Sequence, residues 1–231
     1  MLTCKVGPVF ATEVSKFQDN FAESISVDVG MTFGRSYYDL IQVVDSMLKS
    51  VFAVEQGIPE LRIVRERWPS KDIAWLDETP IISVTEALHM LQIEGLSNPK
   101  EQTALRDNLR LGALVKERFM TDYFILDEIS AKKPSSYFEK AEGYQWTDLF
   151  SVFLRGKKIC TGGKWIHETE EFWYTVEQAQ TTENDGENHR SGLDTRTLSY
   201  GSASISLEHF LEVFLELRDI TYASLFPSRS R

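Results

Sequence analysis

GPVFATEVSKFQDNFAESISVDVGMTF, residues 7–33, decides how the rest of the chain is read. Its two ends, VGPVF (6–10) and SISVDVGMTF (24–33), are rich in β-branched and aromatic residues, which fit a pleated, half-buried surface. The polar stretch between them reads as a connection, so the segment predicts two strands folded back on each other.

Working outward, SYYDLIQVVDSMLKSVFAVE (36–55) predicts a helix with Ser36 as its N-cap and apolar residues at Leu40, Val43, Val44, Met47 and Val51. Signals are mixed over 56–80, where Pro59, Pro69 and Pro80 break any pattern. SVTEALHMLQIEG (83–95) opens with Ser83 and Glu86 in capping-box spacing. KEQTALRDNLRLGALVKERFM (100–120) predicts a helix interrupted at Gly112. DYFILDEI (122–129) and TDLFSVFLRGKKICT (147–161) predict strands, and ETEEFWYTVEQAQ (168–180) a helix. The polar, glycine-containing run near 180–197 reads as a flexible excursion. SASISL (202–207) then predicts a short strand, and LEHFLEVFLELR (207–218) a helix with its stripe at Phe210, Val213, Phe214 and Leu217. Mostly antiparallel strands with helices gathered on one side make the class α+β.

The 231 residues suffice for a single large core. No apolar run nears the roughly 18 residues of a membrane span, and MLTCKVGPVF is not built like a secretory leader. Cys4 and Cys160, far apart in sequence, predict reduced thiols and a cytoplasmic location. A net charge of −10 argues against wrapping a long nucleic acid, but leaves room for a local basic patch that grips a short end.

The order of these blocks resembles the catalytic core of class II aminoacyl-tRNA synthetases, in the aspartyl/asparaginyl branch. GPVFATE with DVGMTF is similar to motif 2, and TDYFILDEI to the central strand. FLRGKKICTGGKWIH is similar to the substrate strand, and SLEHFLEVFLELRDITYASLFPSRSR to motif 3 with its tail. The resemblance runs from about Cys4 to Phe226, weakly near 56–80, 135–148 and 168–200. It implies an antiparallel sheet flanked by helices, a single catalytic-type domain over 1–231 that lacks the anticodon-binding barrel and motif 1, and an open question over the oligomer.

Adenylation needs arginines on the ATP phosphates and carboxylates on Mg²⁺. By the resemblance the motif 2 arginine falls on Ala11, the motif 3 arginine on His209, and the metal carboxylates on Lys158 and near Ser151. The motif 3 glycines fall on Ser202, Ala203, Ser204 and Ser206. ATP-dependent activation is therefore not expected, and no cofactor or metal is implied. Retained positions are Asp28, which the family uses for the substrate ammonium, and Glu13, Glu23, Gly162 and Ile166–His167. The arginine that recognises an aspartate side chain falls on Trp165, flanked by Lys164, so aspartate is not the implied substrate.

These readings place Asp28, Glu23, Trp165 and Lys164 at the substrate, and Glu13, His167 and Cys160 in catalysis. Arg155, Lys157 and Lys158 form an expected patch for the phosphates of a tRNA acceptor end. On a regular strand Cys160 shares a face with Lys158, which would lower the thiol pKa; a small core residue is the alternative. The chemistry implied is transfer from aminoacyl-tRNA, as in the similar fungal arginine-containing cyclodipeptide synthases, through an acyl-enzyme on Cys160 or a serine. The alternative is a non-catalytic paralogue that binds an amino acid, a tRNA end or a protein. Asparagine synthesis, which needs ATP and Mg²⁺, is disfavoured by the same substitutions.

Overall fold

The computed structural model describes residues 1–10, 23–33, 36–93, 105–127, 146–165, 199–218 and 220–223. The connection at 11–22, the helix expected over 168–180 and the excursion near 180–197 lie outside the described residues. Seven strands form one sheet: β1 (Leu2–Phe10), β2 (Glu23–Phe33), β3 (Ile81–Ser83), β4 (Tyr123–Asp127), β5 (Trp146–Leu154), β6 (Lys157–Trp165) and β7 (Ser199–Ser206). Their spatial order is β1-β2-β7-β6-β5-β4-β3. Neighbours run antiparallel except β3 and β4, which are parallel. The sheet is thus mixed rather than wholly antiparallel. The parallel pair is possible because α3 (Val84–Ile93) and α4 (Leu105–Phe119) supply the long crossover such a pair needs.

Helices α1 (Tyr38–Gly57) and α5 (Leu207–Phe214) cover one face of the sheet; α2 (Leu61–Arg67) follows α1. Against that face Leu40, Ile41, Val44, Leu48 and Phe52 of α1 and Phe210, Val213 and Phe214 of α5 form one core with Ile205, Cys160, Val152 and Ile125 of the strands. On the opposite face α3 and α4 pack over Ile82, Phe124, Leu126 and Phe153, and α4 also meets the β5–β6 hairpin through Gly112. Helices therefore lie on both faces, not one, and among the described residues no helix covers the middle of the second face.

The expected helical stripes hold in one case and turn in the other. All four positions named for α5 and its exit are buried. In α1 the buried stripe is rotated by about one residue: Ile41, Leu48 and Phe52 point inward, while Val51 is exposed. Aromatic contacts choose that face, because the Phe52 ring stacks on Phe210 at 6.0 Å and meets Tyr123 edge-on at 5.2 Å. The N-cap of α1 is Tyr37, one residue after the expected Ser36, whose hydroxyl accepts from the Tyr38 N–H at 3.2 Å. Ser83 caps α3 as its spacing predicts, accepting from the Glu86 N–H at 3.2 Å.

The run 147–161 is not one strand but a hairpin. Arg155 and Gly156 turn it with φ of 50° and 77°, the left-handed pair that a two-residue type I′ turn requires. Helix α4 passes through Gly112 without interruption. The glycine serves the packing, because a Cβ there would collide with the backbone of Gly156 in the hairpin turn.

Candidate functional site

Cross-strand register decides what lines the open face. Lys5 of β1 pairs with Asp28 of β2, Asp28 with Ser204 of β7, Ser204 with Thr161 of β6, and Thr161 with Ser151 of β5. Directly paired residues share a face, so these five form a polar row across the sheet. Ser202 and Ser206 flank Ser204 on the same side, because strand side chains alternate and Ala203 and Ile205 between them are in the opposite core. The result is a floor of hydroxyls around one carboxylate.

Asp28 is half-buried and held at both oxygens. Ser204 Oγ donates to its Oδ1 at 2.6 Å, and Ser26 Oγ donates to its Oδ2 at 3.1 Å. Hydrogen bonds to an ionised acceptor are about twice as strong as neutral ones, so the carboxylate is fixed in direction. Two serines use two of the roughly four acceptor sites of a carboxylate, which leaves capacity for a cation arriving from the open side. Beside Asp28, Gly30 has no side chain, and the Tyr200 hydroxyl lies where a Cβ would stand. Tyr200 thus covers this part of the floor, a position that sequence reasoning missed.

The frame around Asp28 is tied to α5. Glu208, buried in its first turn, accepts the Ile25 N–H of β2 with both oxygens, at 2.9 and 3.1 Å. Ser206 is the N-cap of α5; its Oγ accepts from the His209 N–H at 3.4 Å and lies 2.8 Å from His209 Nδ1. His209 is therefore engaged in capping the helix that β7 enters.

The other expected site residues do not all gather here. At Ile159 a bulge breaks the β5–β6 register, so that Val152 pairs with Cys160 and Phe153 with Lys158. Val152 and Phe153 belong to opposite cores, so Cys160 and Lys158 face opposite sides, contrary to the regular-strand expectation. Cys160 is shut in the α1–α5 core and burial pushes its thiol pKa up, with Lys158 opposing only in part. The expected lowering is reversed. Lys164 pairs with Gly201 and so falls in the row of Met31, on the face away from Asp28.

The basic patch disperses as well. Arg155 donates to the carbonyls of Val213, Lys71 and Asp72 at 3.1, 2.8 and 3.2 Å and ion-pairs with Glu216 at 3.0 Å, clasping the hairpin to the end of α5. Lys157 ion-pairs with Glu212 of α5. Only Lys158 of the three is exposed on the Asp28 side. Glu23 opens β2 and Trp165 ends β6, while Glu13 and His167 lie outside the described residues. A second carboxylate was also missed: Asp127, at the end of β4, accepts from the hydroxyls of Tyr37 at 2.7 Å and Tyr38 at 2.5 Å. Its signal was the acid that closes the apolar run YFIL.

Among the described residues, the floor does not present the groups that Mg²⁺ with a triphosphate, which the resemblance would call for, needs. Among the described residues no three His, Cys, Asp or Glu side chains converge on a common point. A lysine stands on the open side of β6, and Ser204 projects, exposed, from the strand where glycines would let a nucleotide approach.

No family model matches the chain. It is 26% identical over 229 residues to cytoplasmic aspartate–tRNA ligase of Rattus norvegicus, covering 96% of this chain and 45% of that protein. It is 25% identical over 231 residues to cytoplasmic aspartate–tRNA ligase 1 of Dictyostelium discoideum, covering 96% of this chain and 40% of that one. Among solved structures, the aspartyl-tRNA synthetase of Entamoeba histolytica superposes with a TM-score of 0.85 at 22% identity, over 98% of this chain and 47% of its own. The asparaginyl-tRNA synthetase of Pyrococcus horikoshii, complexed with asparaginyl-adenylate, gives 0.79 at 14% identity, over 98% and 52%. The chain thus spans somewhat less than half the length of the curated relatives it matches, and over most of its own length it is homologous to class II aspartyl/asparaginyl-tRNA synthetases.

Proposed function

Starting from that homology, we propose that this chain is a synthetase-derived aminoacyltransferase that joins two tRNA-activated amino acids without ATP and closes a cyclic dipeptide of the arginine-containing type. One observation carries the reading: Asp28 keeps a fixed, half-buried carboxylate on an open floor whose other groups suit neither triphosphate nor Mg²⁺. A site with an ammonium anchor and, among the described residues, no phosphate kit matches a substrate whose acyl group arrives already activated as an ester.

In this reading Asp28 holds the α-ammonium of one amino acid. Trp165 supplies an aromatic wall for a guanidinium. Glu13 or His167 takes the proton that an ammonium must lose before its nitrogen attacks an ester. Lys158 is placed for a phosphate of the acceptor end, as a point charge at the margin of the floor. Two successive aminolyses close the six-membered ring, and both tRNAs are released in the course of the reaction. A cytoplasmic site of action is part of the proposal, since charged tRNA is the substrate.

The test is mass spectrometry of small molecules made by the purified chain from total tRNA charged with labelled amino acids, without ATP and with an RNase-treated control. A labelled cyclic dipeptide that disappears with RNase is the expected result, and its mass names both residues. Charged tRNA that survives untouched for all twenty amino acids would overturn the transferase reading, and binding of a ligand or partner would become the question.

A further inference from the structure

A short polar contact of the open floor joins a carboxylate to a hydroxyl. Ser204 is exposed on β7, and its Oγ donates to Asp28 Oδ1 at 2.6 Å. Ser26, buried beneath at 5% exposure, holds the second carboxylate oxygen at 3.1 Å and so aims the first at Ser204. A nucleophile, a base within hydrogen-bond reach and a third group that orients the base make the arrangement that activates an otherwise weak hydroxyl. The thiol that the sequence offered for this part is enclosed in the opposite core, whereas Ser204 stands where a substrate can reach it. We propose that Ser204 is the nucleophile that accepts the first aminoacyl group, with Asp28 as its base. This deepens the transferase reading and rests on it.

The step balances without any further reactant. Ser204 Oγ attacks the carbonyl carbon of the aminoacyl ester, and its proton passes to Asp28 Oδ1. The new bond is Oγ–C(acyl); the bond that breaks is C(acyl)–O of the terminal ribose, whose oxygen leaves with the proton from Asp28. The products are Ser204 aminoacyl ester and free tRNA. The amine of a second aminoacyl-tRNA then attacks the serine ester, the C–Oγ bond breaks, and the proton lost by the amine returns to Oγ. Position also favours the step. An ammonium nitrogen resting on Asp28 is one hydrogen bond from the carboxylate, and the carbonyl carbon is two covalent bonds further on. Attack proceeds once that carbon lies about 3–3.5 Å from Ser204 Oγ.

The experiment gives the whole chain tRNA charged with one labelled amino acid at a time, quenches in acid and reads intact-protein mass, with peptide mapping of any adduct. Wild-type protein is expected to gain one aminoacyl residue on Ser204. S204A is expected to gain none and to lose cyclic dipeptide formation by at least ~100-fold. S204C is expected to trap a thioester that hydroxylamine releases, which keeps the test informative should S204A fold poorly. An adduct elsewhere, or cyclic dipeptide made by S204A within about tenfold of the wild-type rate, overturns the serine while leaving the transferase reading intact. Neither adduct nor product from any charged tRNA overturns both.

Discussion

On β7, Ala203 and Ile205 face α1 and α5 at 2% and 3% exposure, while Ser202, Ser204 and Ser206 alternate with them on the open side. β2 repeats the alternation, with Val27 and Val29 toward the helices and Ser26 and Asp28 on the floor. Each strand thus serves two purposes at a period of two residues. One face supplies the burial that holds the sheet, and the other is released from that duty and carries polar groups that cost stability unless hydrogen-bonded. Stability and chemistry are separable here because they occupy opposite sides of the same backbone, and substitutions can test that separation face by face.

The largest effect is expected on the closed face. Phe52 is fully buried and touches the rings of Tyr123, Phe210 and Trp75. Phe52→Ala removes a ring that no neighbour can replace and should cost about 3–5 kcal/mol, read as a fall in the urea midpoint at unchanged slope. A loss under about 1 kcal/mol would mean that α1 does not anchor the sheet as described.

The open face should answer in the other currency. Asp28→Asn keeps the shape and a hydrogen-bonding oxygen but removes the charge that would hold an ammonium and take the Ser204 proton. The expected loss is at least ~100-fold in cyclic dipeptide formation, with stability within about 1 kcal/mol of the parent. If stability falls severely and activity per folded molecule does not, Asp28 belongs to the scaffold and the two faces are not separable.

How much of this was legible in the sequence follows the same division. The closed face announced itself, since burial selects apolar side chains at helical or strand spacing, as at Phe210, Val213, Phe214 and Leu217. The rotation of α1 was not legible, because Ile41, Leu48 and Phe52 lie beside Val44, Met47 and Val51 in one broad apolar arc, and ring contacts distant in sequence chose between them. The open face gave almost no local signal. Ser204 and Asp28 have the composition of solvent-facing strand residues, 176 positions apart, and only the register brings them together. Asp28 could be named through the family resemblance, whereas Ser204 entered only as the loss of a glycine. The Cys160 expectation failed on one inserted residue, the bulge at Ile159, which periodicity cannot foresee.

Gly112 tests the joint between α4 and the β5–β6 hairpin, which borders both faces. A glycine inside a helix costs about 1 kcal/mol relative to alanine, so Gly112→Ala would stabilise an isolated helix. In the protein the new methyl meets the backbone of Gly156, which cannot yield as a side chain would. The expected result is destabilisation by about 1–3 kcal/mol in urea unfolding, with the sign itself as the readout.

The smallest effect concerns the two thiols, one outside and one shut in the core. Cys4 is exposed and Cys160 is buried, so iodoacetamide at mild alkaline pH should label the folded protein once and the unfolded protein twice. The enclosed thiol also sets a pH dependence. Its pKa is raised in the fold, chiefly by burial, so between the unfolded value and the folded one the native state holds a proton that the unfolded chain has released. Stability from this group is full below about pH 8.5 and falls as pH rises beyond it, by up to about 1.4 kcal/mol per pH unit. Tyr123, raised by burial and by Asp45, adds a second decline in the same sense from about pH 10. Cys160→Ala should flatten the first decline and leave the second, as read from urea midpoints between about pH 7 and 11. An equal slope in both proteins would mean that the thiol ionises freely, and would return Cys160 to the open side as a candidate nucleophile in place of Ser204.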